Sequence, residues 1–347
     1  MDWSAECMIT VSVCMIVKNE EESLGDCLDC LKEFADEIII VDTGSSDNTK
    51  NIAAKYTDKI YDFEWIDDFA AARNFSFSKA TMDYIYVADA DELIDETNQK
   101  RLMILKEAML PEVEIVQMKY TNQLKNGTTY NFDVEYRGKL YKRLREFNWV
   151  DPIHETVNID PVVFDSDIEI IHNAHECHAS RDFEIFKKVI KRGERLSNKL
   201  VIMYAKELFI AGTDSDFKDV YNYFYDLVND DNTSEKIFKE AACVYMRATR
   251  LLDKQNEFLE FSLKMAADNP SSEVCYEIGE YFYQNGNYKE ATVWFYNAAF
   301  ECEPMLNIHY GGDYSLERLA DSFEKLGNVE QYSVYMAMAN DWRNSQG

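Results

Sequence analysis

Between residues 11 and 88, apolar segments of strand length alternate with segments of helical period. The strand-like segments are residues 11–17, 37–41, 59–63 and 83–88, and the helical ones are residues 21–34, 47–56 and 68–80. This alternation predicts an α/β domain with a mostly parallel sheet and helices on both faces. Ligands of such sheets bind beyond the carboxyl ends of the strands. We therefore expect the chemistry in the residues after each strand, 18–20, 42–47 and 89–92, with Asp47 also capping the second helix.

From about residue 181 the strand signals stop and only helical ones remain. Residues 272–305 fit the tetratricopeptide (TPR) repeat of about 34 residues, in which helical hairpins stack into a solenoid. Its small and aromatic positions are held by Gly279, Phe282, Ala291, Phe295 and Ala298, with Gly286 at the turn, and a second copy runs from Ala320 to Ala339. The alternative is an irregular helical bundle. The sequence thus predicts an α/β domain over residues 1–180 and an all-α, TPR-like domain over residues 181–347.

Composition narrows the classes of partner. The chain has 347 residues and a formal net charge of −28, so it offers no basic surface for nucleic acid or for an anionic membrane. Its longest apolar run, residues 8–17, has the length of a buried strand and not of a membrane span. We expect a cytoplasmic protein without an integral membrane segment. Reduced cysteines are expected too, and Cys27 and Cys30 are read as packing residues of a helix.

Three acids come after the fourth strand-like segment. Asp89, Asp91 and Glu92 lie directly behind an apolar run, where clustered carboxylates raise one another's pKa. A divalent cation removes that conflict. Oxygen ligands suit Mg²⁺ or Mn²⁺, which typically bind one or two carboxylates together with substrate phosphates. The acidic segment therefore predicts a Mg²⁺ or Mn²⁺ site, although an acidic surface loop is the simpler alternative for an isolated pair of this kind.

Four segments together resemble the family 2 glycosyltransferases of GT-A type. Residues 13–21 are similar to the opening strand of that family, residues 39–49 to its second-strand motif, and residues 72–74 with 84–91 to its third. Order and spacing both agree over roughly residues 8–95. A shorter similarity over residues 139–143 and 149–155 resembles the segment before the acceptor site in a bacterial subgroup that carries helical repeats.

The resemblance implies roles for the donor site. Asp42 would hydrogen-bond the pyrimidine base of a UDP-sugar, and Val13 and Glu20 would line the same pocket. Arg73 would lie beside the nucleotide. The residues from Asp89 to Asp91, with Ala90 between them, would contact the ribose and hold the metal that bridges the diphosphate, Asp91 as a direct ligand. The structural alternatives are a turn or helix-capping role for Asp42 and a surface ion pair for Arg73.

Two further segments carry candidate ligands. Residues 136–147 hold five bases, which either bind phosphate oxygens, Arg143 among them, or protect a solvated edge strand. His172 comes after the apolar segment 168–171, and we expect it to be a third metal ligand. Residues 172–178 also allow a zinc-site interpretation, and packing or helix capping is the remaining alternative.

The catalytic base is sought in the loop after Trp149. Inverting transfer needs a carboxylate or imidazole to deprotonate the acceptor. Glu155 is preferred because its place is similar to that of the family's acceptor-side acid, Asp151 is the second choice, and His154 adjoins both. Trp149 either stacks on a sugar face or packs in the core.

The function implied by this resemblance is metal-dependent transfer of a hexose or N-acetylhexosamine from a UDP-sugar, with inversion. Repeat-bearing relatives act on bacterial peptides and surface proteins, so a peptide or protein acceptor is expected, and the repeats also allow an oligomer. Two alternatives stay open. One is a transferase that extends a glycan and uses its repeats for docking. The other is a catalytically inactive TPR scaffold.

Overall fold

The computed structural model of the protein describes residues 8–121, 135–157, 160–172, 179–267 and 269–346. The chain divides into two compact units, Met1–Ile185 and Phe186–Gly347. They are called unit 1 and unit 2 below. The His172–His178 segment of the zinc interpretation falls almost wholly on residues 173–178, which lie outside the described residues.

Unit 1 contains ten strands among its described residues. They are β1 Val11–Val17, β2 Glu37–Asp42, β3 Ile60–Asp62, β4 Tyr84–Ala88, β5 Glu92–Leu93, β6 Ile115–Thr121, β7 Glu135–Lys142, β8 Trp149–Val150, β9 Thr156–Val157 and β10 Val163–His172. The helices are α1 Leu24–Leu31, α2 Thr49–Ala53, α3 Phe69–Phe77, α4 Glu96–Glu107 and α5 Ala179–Lys191, the last of which continues into unit 2.

Eight of the strands form one sheet in the order β3-β2-β1-β4-β7-β6-β10-β5. The pairs β3–β2, β2–β1, β1–β4 and β6–β10 are parallel, and β7 and β5 run against their neighbours. The predicted α/β class with a mostly parallel sheet is confirmed. The edge-strand interpretation of the basic segment is wrong, because β7 lies inside the sheet between β4 and β6.

Alternating side chains of the central strands bury both faces of the sheet. Val13 and Met15 of β1 pack in the cluster that contains α1 and Leu102 of α4, whereas Cys14 packs in the cluster that contains Phe75 and Phe77 of α3. This arrangement reflects the two-residue period of a strand and places helices on both sides. Cys27 is fully buried in α1, as the packing interpretation expects.

Helix starts differ slightly from the sequence prediction. Asp68 caps α3 by accepting from the backbone N–H of Ala71, but the residue before α2 is Asn48 and not Asp47. The Asp47 carboxylate still accepts from the backbone N–H of Thr49 at 3.0 Å and from its hydroxyl at 2.6 Å. Asp47 therefore closes the turn before the helix instead of being its N-cap.

Unit 2 is helical in all its described elements. Its helices are α6 Asn198–Ala211, α7 Asp214–Asp219, α8 Tyr221–Val228, α9 Glu235–Leu251, α10 Gln255–Ala266, α11 Ser272–Gln284, α12 Tyr288–Tyr296, α13 Asp313–Lys325 and α14 Val329–Gln346, with a π-helical turn at Asn297–Glu301. The predicted all-α, TPR-like class is confirmed. Gly286 and Gly327 sit between paired helices at φ of 74° and 76°, where a side chain would be strained.

None of the helices in the described residues combines the length and apolar composition that a membrane span requires.

Candidate active site

The candidate site lies at the carboxyl ends of β1, β2 and β4. The loops that leave β1 and β2 are joined by hydrogen bonds around Asn19, whose φ is 56°. Its backbone N–H donates to Ser45 Oγ at 2.9 Å, and its Oδ1 accepts from the backbone N–H of Ser46 at 2.8 Å. The two loops therefore form one fixed rim beside the end of β4.

Asp42 ends β2 and is completely buried. Its Oδ1 accepts from the backbone N–H groups of Gly44 and Ser45, each at 2.9 Å, and lies 3.7 Å from Lys50 Nζ. Burial disfavours its charge, but the bonds from Ser45 and Gly44 and the nearby Lys50 lower the pKa of the carboxyl below its ordinary value. Within the described part of the chain no donor reaches the buried Oδ2. One oxygen is thus fixed by the turn while the other is left for a further donor.

Of the two residues expected to line the same pocket, only Glu20 lies at this rim. Its backbone N–H donates to Thr49 Oγ1 at 2.7 Å, and its carboxylate accepts from Ser23 Oγ at 2.6 Å. Val13 was predicted wrongly. It lies in the middle of β1 with no exposed surface and packs in the core beneath α1. A side chain there lies about 13 Å from the carboxyl end of the strand, where the site is.

The acidic segment forms a tight turn between β4 and β5. Asp89 and Glu92 are joined twice, by the Asp89 N–H to Glu92 Oε2 and by the Glu92 N–H to the Asp89 carbonyl, both at 3.2 Å. Ala90 is buried within the turn. His172, the last residue of β10, lies opposite Glu92 in the sheet, and its Nε2 is 3.1 Å from Asp91 Oδ2.

The spacing between Asp91 and His172 is suitable for a shared metal ion. Two neighbouring ligands of an octahedral ion at about 2.1 Å are separated by roughly 3 Å. Asp91 Oδ2 and His172 Nε2, 3.1 Å apart, have that separation, and both side chains are partly exposed. A carboxylate and an imidazole are a donor set that a divalent cation accepts. The residues present therefore fit the predicted site.

Arg73 connects this turn to the loop after β8. It donates through Nε to Glu155 Oε1 at 2.7 Å, with NH2 2.6 Å from the same oxygen and 3.9 Å from Asp89 Oδ1. Its guanidinium also lies 5.0 Å from the centre of the Trp149 ring. Burial opposes the charge, but Glu155 and Asp89 raise the pKa of Arg73 above its ordinary value. Arg73 is therefore no isolated surface pair, and it is held by two of the predicted site residues.

Sequence reasoning missed the partnership of Lys139 and Glu92. Lys139 Nζ lies 2.6 Å from Glu92 Oε1 and 4.0 Å from Asp89 Oδ2, and both members of the Lys139–Glu92 pair are almost fully buried. Burial raises the pKa of the Glu92 carboxyl to about 7, although Lys139 acts in the opposite direction. At Asp89 burial is outweighed by Lys139 and Arg73, which lower the pKa of the carboxyl. The sequence carries no local signal of this partnership, because the two residues are 47 positions apart.

Arg143 was assigned to the nucleotide, and the structure contradicts this. Its backbone N–H donates to the Asp83 carbonyl at 2.9 Å, and its side chain donates to the Met82 carbonyl. Both acceptors precede β4, whereas Asp89 comes after it. The five residues of β4 separate its amino end from its carboxyl end by about 16 Å. Arg143 therefore lies at the amino end of β4, opposite to the end that carries the site.

The candidates for the catalytic base lie in one strained loop. Asp151 and His154 have φ of 74° and 49°, and the Pro152 carbonyl accepts from the backbone N–H of Phe69 at 2.8 Å. Positive φ at residues other than glycine is uncommon and is concentrated at functional sites. Glu155 is the ion-pair partner of Arg73. Trp149 is buried against Tyr141 and Phe77, which is the core role and not the exposed stacking role.

The model of glycosyl transferase family 2 matches residues 12–158. This part of the chain is therefore similar to family 2 glycosyltransferases. The matched residues include the rim around Asp42, the acidic turn, Arg73 and the loop to Glu155, whereas His172 lies beyond them.

Curated relatives match parts of the chain. The SPbeta prophage-derived glycosyltransferase SunS of Bacillus subtilis is 26% identical over 223 residues, which are 60% of this chain and 52% of that protein. A TPR repeat-containing protein of Synechococcus elongatus is 49% identical over 85 residues, 24% of this chain and 21% of that protein. The chain thus spans about half or less of the length of these relatives.

Among solved structures, glucosyl-3-phosphoglycerate synthase of Mycobacterium tuberculosis, in complex with Mg²⁺ and uridine diphosphate, aligns with a TM-score of 0.40 at 13% identity. The alignment covers 55% of this chain and 82% of that one.

Proposed function

We propose that this protein transfers a hexose or N-acetylhexosamine from a UDP-sugar to an acceptor in a reaction that depends on Mn²⁺ or Mg²⁺ and inverts the anomeric carbon. The observation that carries the proposal is the fully buried Oδ2 of Asp42, which receives no hydrogen bond from the residues that the structure describes. A buried carboxylate oxygen without a donor is costly, and the N–H of a uracil base would satisfy it. The family 2 match supplies the reaction class.

The position of the acidic turn supports a nucleoside diphosphate. β2 and β4 flank β1, so the ends that carry Asp42 and Asp89 lie about 10 Å apart across the sheet. A nucleotide that places its base against Asp42 would extend its ribose and phosphates toward the turn. Asp89 would meet the ribose, and Asp91 with His172 would hold the cation. The cation would stabilise the charge that develops on the departing diphosphate.

The chain's own residues would then prepare the acceptor. Inversion requires that the acceptor atom loses a proton as it attacks the sugar from the face opposite the diphosphate. We assign this proton to the loop at residues 151–155. Glu155 remains our preferred base, and Asp151 and His154 are the alternatives. The ion pair with Arg73 would fix the orientation of Glu155 beside the acceptor.

A peptide or protein acceptor is our proposal for the second substrate. A solenoid of helical hairpins presents an extended surface suited to chain-like ligands. With the predicted domain boundary between residues 180 and 181, the donor would bind to the first domain and the acceptor would be recognised by the second. In the first alternative, the acceptor is a glycan and the repeats only dock the enzyme. In the second alternative, a scaffold, Asp42, Asp89 and Asp91 would have no reason to share one sheet edge.

A donor panel with a matched pair of variants tests this proposal. Purified protein is incubated with UDP-sugars and Mn²⁺, and released UDP is measured before and after removal of the metal by a chelator. We expect release from one sugar, its loss with the chelator, and its restoration by added Mn²⁺. Asp91→Asn should abolish it, whereas Asp58→Asn, on an exposed loop residue, should behave as wild type. A wild-type protein that neither binds UDP with Mn²⁺ nor releases it would leave the scaffold as the better function.

A further inference from the structure

Lys139 is an unusual residue for the position it occupies. It lies in β7, inside the sheet, with only 3% of its surface exposed. Lysine is almost never buried to this extent unless it is paired, because burial of its charge is costly. Its ammonium group lies within 6 Å of the Tyr86 and Tyr120 ring centres, at 5.9 and 5.7 Å. Such a site has to be explained by what the ammonium group contacts.

Those contacts lead directly to the acidic turn. Glu92 accepts from Lys139 with one carboxylate oxygen and from the backbone N–H of Asp89 with the other. Its own N–H returns to the Asp89 carbonyl, and it lies opposite His172 in the sheet. A single buried carboxylate therefore joins Lys139 to the turn that carries Asp89 and Asp91, and to the strand that carries His172.

Asp89 is held between two cations. Arg73 NH2 lies 3.9 Å from its Oδ1, and Lys139 Nζ lies 4.0 Å from its Oδ2. The arginine approaches from α3 and the lysine from β7, so each carboxylate oxygen faces a different element of the fold. The Asp89 carboxylate is therefore flanked by two cations that belong to other elements of the fold.

We propose that Lys139 and Glu92 are positioning residues of the donor site, which set the geometry of Asp89 and of the turn that carries Asp91. The Lys139 ammonium group lies behind the acidic turn and acts through Glu92 and Asp89. The inference rests on the proposed function, since it concerns how the same site holds UDP and its cation. Residues behind a metal site of this kind typically change metal affinity or activity by about 10–100-fold when they are removed.

A purely structural ion pair would behave differently from a positioning pair. Replacing both members of a buried pair with neutral residues is often harmless to stability, whereas removing one member leaves an uncompensated charge. The double variant Lys139→Met with Glu92→Gln therefore separates the two roles. The glutamine side chain keeps an acceptor oxygen for the Asp89 N–H and carries no charge that needs Lys139. A structural pair predicts normal activity in this variant, and a positioning pair predicts a defect.

Lys106 provides the matched control. It is as deeply buried in the same unit, with Nζ 2.7 Å from Asp36 Oδ2 and 2.9 Å from the Phe34 carbonyl, and both of these partners lie away from the site. The control double variant is Lys106→Met with Asp36→Asn. It reproduces the loss of a buried lysine and its carboxylate partner in the sheet domain, and any general effect of softening that domain should appear in it equally.

The experiment measures three quantities on full-length wild type and both double variants: the denaturant midpoint of unfolding, the affinities for Mn²⁺ and UDP by calorimetry, and kcat and KM for the UDP-sugar. We expect the Lys139/Glu92 variant to stay folded, to lose about 10–100-fold in Mn²⁺ affinity in the presence of UDP, and to need correspondingly more Mn²⁺ for turnover. The Lys106/Asp36 variant should bind as wild type does.

The outcomes separate this inference from the function on which it rests. Wild-type Mn²⁺ and UDP affinities in the Lys139/Glu92 variant would overturn the positioning role and leave the transferase proposal intact. An equal loss in the Lys106/Asp36 variant would also overturn it, because the effect would then be one of general stability. Absence of Mn²⁺ and UDP binding in the wild type would remove both proposals. If the Lys139/Glu92 variant does not fold, Glu92→Gln alone, which retains the lysine, is measured against the same criteria.

Discussion

Asp42 illustrates how one side chain can serve the fold and a ligand at the same time. Its Oδ1 closes the turn after β2 by accepting two backbone N–H groups, which the interpretation of Asp42 as a turn residue anticipates. Its Oδ2 is equally buried but takes no part in that turn. The turn therefore explains the position of Oδ1, and Oδ2 is the atom that would accept a hydrogen bond from the base.

Asp42→Asn tests the roles of the two carboxylate oxygens separately. The amide oxygen can still accept from Gly44 and Ser45, but an NH₂ group now occupies the place of Oδ2 and faces the N–H of the base. Two donors then oppose each other, and we expect UDP affinity in the presence of Mn²⁺ to fall by about 1.5–3 kcal/mol. Because base recognition is largely uniform binding, kcat at saturating donor should change little. Calorimetry with UDP and steady-state kinetics measure the two effects, and unchanged UDP affinity would remove Asp42 from the base pocket.

At the residue scale, sequence reasoning located the acids at the strand ends and missed the charged pair buried beneath them. Asp42, Asp89 and Asp91 are placed at one edge by the rule for parallel sheets alone. The Lys139–Glu92 pair joins residues 47 positions apart on non-consecutive strands, which no local pattern reveals. Val13 and Arg143 were misassigned because membership of a motif does not indicate at which end of a strand, or on which side of the sheet, a residue lies.

At the scale of elements, the two ends of the parallel strands have different contacts. The carboxyl ends carry the proposed binding residues, and the amino ends are joined to one another by hydrogen bonds. Glu37, the first residue of β2, accepts hydrogen bonds from three other segments at the amino ends of the strands. It accepts from Ser12 of β1, from Lys59 just before β3, and from the backbone N–H and hydroxyl of Thr81 just before β4, the last two at 2.9 Å. Burial alone would raise the pKa of Glu37, but these partners lower it to about 2. The parallel strands are thus tied together at the end remote from the site.

Glu37→Gln should lower the free energy of unfolding at pH 7 by about 2 kcal/mol, since the folded state favours the charged carboxylate. A group whose pKa is depressed in the folded state stabilises it above the unfolded pKa, here near 4.5, and loses that contribution as pH falls toward about 2. The difference between wild type and variant should therefore be constant from pH 7 to about 5 and shrink below that. Urea unfolding at several pH values measures it. A difference that grows on acidification would contradict the assigned pKa.

Element prediction succeeded where sequence period is informative and failed where strand order matters. The four strands and three helices of residues 11–88 occur where their apolar periods indicate, with shorter helices than predicted. The position of β7 inside the sheet was missed, because the order in which strands pair is set by long-range packing and leaves no period in the chain. Its charges made it look solvated, whereas Lys139 is one of the most buried lysines of the unit.

At the scale of the whole molecule, the residues proposed for the donor all lie in unit 1, and the TPR-like hairpins lie in unit 2. Each unit contains a helical glycine whose replacement should change the stability of that unit without changing a residue of the proposed site. A β-carbon on Gly279 of α11 would come within 2.7 Å of the Phe295 ring in α12, so this glycine permits the close approach of two paired helices. A β-carbon on Gly25 of α1 would meet its nearest neighbour, Ile52, at 3.8 Å, an ordinary contact.

Gly279→Ala should therefore destabilise unit 2 by about 1–3 kcal/mol, because overpacking against Phe295 outweighs the gain in helix propensity. Gly25→Ala should stabilise unit 1 by about 0.5–1 kcal/mol, since alanine is the better helix former and has room. Scanning calorimetry with and without UDP and Mn²⁺ assigns the transitions, because a ligand raises the transition of the unit that binds it. Gly279→Ala should lower the transition that the ligand does not shift, while UDP affinity at 25 °C stays that of wild type. Weaker UDP binding in Gly279→Ala would show that the donor site depends on the hairpins, and acceptor recognition could then no longer be assigned to unit 2 alone.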